Sequence, residues 1–226
     1  MSLHQRLFQA LGWLGALFFV CFFLAAPLSA HNRKVGDVVE GVVLEAVQKL
    51  EDNHALRKDE IAVVVDPHHQ ELYVVKDRSI EHVFPISTSK KGMNNIEGSL
   101  GTPWGSHYIS NKIGDDMPIG TMFKGREVCK RRGCSTITTR ILWLRGLEEG
   151  VNLDLSIDEG NYLKKRKHVD SHWRLIYIHG TSRERKIGKP GSIGCINMKN
   201  KDVIALFDMV REGTLVEIIR DSYKAH

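Results

Sequence analysis

The chain has 226 residues and a formal net charge of +5. That length holds one domain with a sizeable core plus an appendage. The positive balance suits an anionic polymer. Nucleic acid is the habitual partner of basic runs, but the export segment described next sets it aside.

Arg6 precedes an apolar stretch over residues 7–28 broken only by Gln9, and Leu28-Ser29-Ala30 resembles a cleavage site. The stretch is also about the length of a membrane span, so residues 1–30 read as a signal peptide or a signal anchor. Either way the remainder is exported to the periplasm, with membrane contact only if the segment is retained. Cleavage would remove one charged residue, Arg6, and leave +4. Residues 31–58 read as a helical linker. Within it residues 35–58 predict one helix, capped by Asp37 with Glu40 closing a capping box. Val38, Val39, Val42, Val43, Val47 and Leu50 recur at helical spacing, which fits either a stalk or a helix docked on the domain.

From Ile61 the pattern changes to strands. Ile61-Ala62-Val63-Val64-Val65, Glu71-Leu72-Tyr73-Val74-Val75 and residues 80–87 form a meander with two short turns. His68 and His69 belong to the first turn and are expected to be exposed. Residues 90–105 are rich in Gly, Ser and Asn, a strand follows over 106–110, and residues 111–135 read as one long irregular segment. A strand is expected over 137–144 and another over 174–178. Asn200 should cap a last helix over 203–211, closed by Gly213, before a final strand over 215–219. Many short strands and one late helix describe a mainly β domain over residues 59–220.

Cys129 and Cys134 lie in the irregular segment. An oxidising compartment allows a disulfide between them, free thiols being the alternative, and two Cys cannot fill a tetrahedral zinc site. His168 and His172 have the i, i+4 spacing of a zinc helix, but no Glu stands between them in the required place and the basic run beside them predicts an exposed loop. No metal site and no cofactor are expected. Basic residues cluster at Arg126, Lys130, Arg131 and Arg132, at residues 164–167, and at Arg183, Arg185, Lys186 and Lys189. Each run is either a solvated loop or part of a field for an acidic substrate.

His179 follows the apolar run Leu175-Ile176-Tyr177-Ile178, and Cys195 comes sixteen positions later among the small residues Ser192 and Gly194. A thiol needs a base at neutral pH, and small neighbours let a substrate carbonyl reach backbone N–H groups. These residues suggest a cysteine acyl-transfer enzyme; a buried structural cysteine is the competing reading.

The rest of the chain weighs in at this point. Ile61-Ala62-Val63-Val64-Val65-Asp66, Gln70-Glu71-Leu72-Tyr73, Ile86-Ser87-Thr88-Ser89, Gly101-Thr102-Pro103-Trp104-Gly105, Ile178-His179-Gly180-Thr181 and Ser192-Ile193-Gly194-Cys195-Ile196-Asn197-Met198 resemble, in order, the L,D-transpeptidase (YkuD-type) catalytic domain. The resemblance implies a β-sandwich-like fold, Cys195 as nucleophile, His179 as base and the Gly180 carbonyl orienting that base. Backbone N–H groups near Gly194 and Cys195 would hold the oxyanion, and Ser192 and Asn197 would meet substrate. Position 193 is His in some members and Ile here; position 197 is often Arg and here Asn. The resemblance further implies peptidoglycan stem peptides as substrate, cleavage of a diaminopimelate–D-alanine bond, transfer to an amine to form 3–3 crosslinks, and reaction with carbapenems. Water or a lipoprotein amine could replace the crosslinking amine, and a wall-binding domain without catalysis is the non-enzymatic alternative.

Overall fold

The computed structural model describes residues 30–131, 133–164 and 167–220. Most of the export segment lies outside these residues, as do Arg132, Lys165 and Arg166 of the basic runs.

Helix α1 spans Ala30–His54. Strands β1 (Ala62–Asp66), β2 (Glu71–Lys76) and β3 (Ser79–Ser87) form the expected meander. They are followed by β4 (Gly105–Ile113), β5 (Met122–Lys124), β6 (Glu127–Val128), β7 (Ile137–Gly146), β8 (Tyr177–Thr181) and β9 (Ile196–Met198). Helix α2 (Asn200–Met209) and β10 (Leu215–Ile218) complete the described chain. The strands run β4-β10-β1-β2-β3-β9-β8-β7, and β7 pairs back with β4, so eight strands close on themselves. Closure leaves those eight without a free edge. The short β5–β6 hairpin hangs from β7.

The uniformly apolar β1 and β2 are explained by cover on both faces. Val63, Val65, Leu72 and Val74 point into the main core, which α2 enters with Val203, Leu206 and Phe207. The alternate residues Ala62, Val64, Tyr73 and Val75 meet Val43, Val47 and Leu50 of α1. Burying such a side chain contributes about 1.5–3 kcal/mol, so α1 is a docked part of the domain and not a stalk. Lys49 of α1 adds two ion pairs, 2.8 Å to Glu148 and 2.8 Å to Glu217, and Ser106 donates to the second Glu217 oxygen at 2.7 Å.

Four expectations are corrected. Asp37 lies inside α1 and does not cap it, because the helix begins at Ala30. Asn200 is the first residue of α2, and its side chain is directed to β7 and β8; Glu184 instead accepts the Asn200 N–H at 2.7 Å. The irregular stretch over 111–135 holds the end of β4 and the β5–β6 hairpin, whose strands are too short to show a period. β8 begins at Tyr177, because residues before it turn around Asp170, which accepts the N–H groups of His172 and Trp173.

Candidate active site

Strands β8 and β9 are parallel, with Ile178 opposite Ile196 and His179 opposite Asn197. The chain between them therefore loops out and returns Cys195 to the level of Tyr177. His179, Cys195, Ser192, Ile193 and Asn197 line one cavity of about 360 Å³, together with Arg183 and Lys186.

His179 is 4% exposed, and its Nδ1 lies 2.8 Å from the Gly180 carbonyl oxygen. A proton on Nδ1 satisfies that carbonyl and leaves Nε2 as the basic atom. Gly180 must be glycine here: a Cβ would sit 2.7 Å from both Asn200 Oδ1 and the Thr138 carbonyl. Behind it Asn200 Oδ1 accepts from the hydroxyls of Thr138 at 2.6 Å and Thr139 at 2.5 Å.

The Cys195 loop is tied down through the very segments that stood out in the sequence. Gln70 holds Thr88 by two bonds, Nε2 to Oγ1 at 2.7 Å and Oε1 from the Thr88 N–H at 2.8 Å. The Thr88 carbonyl accepts the N–H groups of Gly191 and Ser192. Ser192 Oγ then donates to the Cys195 carbonyl at 2.5 Å and accepts the Gly194 N–H at 3.2 Å. Thr102 takes the Ser89 N–H on its hydroxyl at 2.9 Å. Gly194 has φ +133, a conformation L side chains rarely adopt. The Cys195 thiol donates to the Leu175 carbonyl at 3.5 Å and packs on the cluster of Phe123, Ile141, Trp143 and Tyr177.

Burial dominates the electrostatics. Desolvation pushes the Cys195 thiol up to about 11, partly offset by the Tyr177 backbone and the Arg174 charge. Desolvation also pushes His179 down to about 4, against the opposing pull of the Gly180 carbonyl. Both shifts favour a neutral thiol and a neutral imidazole at rest.

Four non-glycine residues around this site have positive φ: Gln70 (56°), Leu100 (59°), Thr139 (71°) and Leu175 (57°). Each such residue costs on the order of 1–3 kcal/mol and clusters of them mark functional sites. Thr139 lies in a register break of β7 opposite His179 and Gly180. Leu175 presents its carbonyl to the thiol.

A second cavity of about 600 Å³ lies across Ile193, with Glu97, Tyr162, His168, Trp173 and Arg174 in its walls. His168 is 4% exposed, so the exposure expected of it is not found, although Lys164 and Lys167 before it are exposed. His172 stacks on Trp143 at 3.7 Å between centroids, which accounts for its burial. Among the described residues no group of His, Cys, Asp and Glu could hold a metal ion. His69 Nδ1 is 2.7 Å from Asp66. Cys129 and Cys134 form a disulfide in the loop after β6, and Ser135 and Thr136 just beyond it line the Cys195 cavity. Of the basic residues, Arg183 and Lys186 reach the Cys195 cavity, whereas Arg131 and Lys164 are exposed outside it.

The chain belongs to the L,D-transpeptidase catalytic-domain (YkuD) family, whose model matches residues 60–218. A Bacillus subtilis (strain 168) protein named "Putative L,D-transpeptidase YqjB" is 47% identical over 166 residues, covering 71% of this chain and 72% of that protein. "Putative L,D-transpeptidase YkuD" of the same organism is 56% identical over 43 residues, 19% of this chain and 26% of that protein. A solved L,D-transpeptidase from Mycobacterium smegmatis is 16% identical with a TM-score of 0.42, covering 71% of this chain and 59% of that one.

Proposed function

We propose that this chain is an exported cysteine acyltransferase of the cell wall, with Cys195 as nucleophile and His179 as base. The observation that carries the reading is the pair itself. His179 is fixed through Nδ1 by the Gly180 carbonyl, and its free Nε2 shares a cavity with the Cys195 thiol. Export rests on the apolar residues 7–28.

The Cys195 sulfur attacks the carbonyl carbon of the third stem residue, and its proton passes to His179 Nε2. A C–S bond forms and the carbonyl oxygen becomes an oxyanion, held by backbone N–H groups near Gly194 and Cys195; losing one such donor typically costs about 3 kcal/mol. Collapse breaks the C–N bond to D-alanine, whose amine takes the proton from His179. A second amine then attacks the thioester, gives its proton to His179, and releases the sulfur, which regains that proton. Ser192 holds the loop through its bonds to Cys195 and Gly194, and Asn197 faces the bound stem. The two cavities meeting at Ile193 suit a reaction that joins two substrates. Carbapenems, which carry a strained acyl group, are expected to acylate the same sulfur.

Purified protein with tetrapeptide muropeptides, followed by mass spectrometry, tests the reading. Dimers joined with loss of D-alanine are expected; loss of D-alanine alone would mean that water is the acceptor. Cys195→Ala and His179→Ala should each abolish release, and the double variant should be no worse than either, because the two act as a unit. Substantial turnover by Cys195→Ala would refute the assignment.

A further inference from the structure

We propose that Arg174 is the charge partner of the Cys195 sulfur: a positioning residue that holds the wall behind the nucleophile loop and favours negative charge on the thiol as it attacks. The inference rests on Cys195 being the reactive thiol.

Arg174 is half-buried, and its guanidinium is aimed by two backbone carbonyls. Nη1 donates to Asn95 at 2.9 Å and Nη2 to Gly101 at 2.8 Å. Gly101 in turn abuts the nucleophile loop, since a Cβ on Gly194 would lie 3.5 Å from its carbonyl oxygen. The next residue, Leu175, supplies the carbonyl that the thiol contacts. Arg174 is thus linked to the loop of Cys195 from two sides.

What the guanidinium lacks is an anion. No ion pair joins it to a carboxylate among the described residues. A half-buried cation held by neutral carbonyls keeps its field for a negative charge that appears beside it. Burial pushes Arg174 down to about 10, so it still carries its charge at neutral pH, and the groups that favour that charge are Cys195 first and then Glu97. His179 is pushed down to about 4 and is no cation at rest. Tyr177, the other titratable neighbour of the sulfur, is pushed up to about 12 by burial and stays neutral. Arg183 and Lys186 line the cavity in front of the thiol, whereas Arg174 is the cation behind the Cys195 loop whose charge acts on the sulfur.

Alkylation of Cys195 by iodoacetamide across pH, in the full chain and without any wall substrate, tests this. Arg174→Met should lower the thiolate fraction at a given pH roughly tenfold, the equivalent of one pKa unit. Arg174→Lys, which keeps the charge and loses the fork, should recover most of that reactivity. Should Arg174→Met fail to fold, Arg174→Gln against Arg174→Lys makes the same contrast. An unshifted profile in the neutral variants, or Arg174→Lys as slow as they are, would overturn the proposal in favour of a purely structural clamp. An unshifted profile with a raised KM for tetrapeptide would overturn it in favour of a substrate carboxylate site. Because alkylation needs no acyl transfer, a shifted profile in a protein that releases no D-alanine would keep this inference and discard the proposed reaction.

Discussion

Two half-buried cations in this molecule are treated in opposite ways. Lys49 on α1 sits between Glu148 and Glu217, both at 2.8 Å, with Ser106 completing the network. Arg174 behind the nucleophile loop meets two neutral carbonyls. A cation closed off by its own carboxylates has no electrostatic capacity left for chemistry; it fixes one element on another. A cation held by neutral groups keeps its field for whatever charge develops beside it. The first kind of site holds α1 to the barrel, and the second stands next to Cys195.

The contrast breaks most directly at Lys49. Lys49→Met leaves two carboxylates close together, one of them nearly buried. Because Lys49 is itself 37% exposed, the loss should fall between surface and buried pairs, roughly 2 kcal/mol. Denaturant unfolding measures it, and D-alanine release per folded molecule should be unchanged. A variant that slows acylation as much as it lowers stability would erase the distinction.

Acid should weaken the fold next. His107, His172 and His179 are each pushed down to about 4, in every case mainly by burial. The unfolded chain takes up these protons near pH 6.5. Between those values the unfolded state binds more protons, so stability rises with pH and is lost as pH falls from about 6.5 toward 4. Unfolding free energy measured across that window should drop by a few kcal/mol; a flat curve would show that the three imidazoles are not held neutral.

The smallest expected effect lies at the cavity rim. Arg183→Ala with Lys186→Ala removes exposed charges worth at most about 1 kcal/mol each, so apparent affinity for an acidic stem should weaken by roughly fivefold for each charge at most. The difference should shrink with added salt, which screens beyond about 10 Å at 0.1 M. Arg131→Ala, outside the cavity, should change neither affinity nor its salt dependence.

Cys195 and His179 were legible in the sequence because the chemistry of a thiol and a base is written in residue type, and the loop between parallel strands needs about that spacing. The meander was legible from its apolar runs, whereas the valine stripe of α1 fitted a stalk as well as a docked helix and left its docking open. Arg174 was not: in sequence it is one more residue of an expected strand, and its meaning comes from what surrounds the guanidinium. The positive φ at Thr139 and Leu175 is equally silent, since neither residue type favours it and only the closed sheet imposes it. His168 and His172 were misread because a neighbouring basic run suggested solvent, whereas Trp143 and the Asp170 turn draw that segment inward. Asn200 was misplaced as a cap for a similar reason, its side chain being claimed by Thr138 and Thr139 across the fold.

The pH dependence of kcat/KM for D-alanine release tests the central claim most directly, which is that a neutral thiol and a neutral imidazole react together beside a fixed cation. With His179 at about 4 and Cys195 at about 11, the profile should be level across the neutral range and fall only as acid protonates His179. A rate that climbs through neutrality, with an apparent pKa near that of a free imidazole, would mean that His179 titrates as an ordinary base, and a fall on the alkaline side as an imidazolium loses its proton would mean a preformed thiolate–imidazolium pair; either would contradict the account.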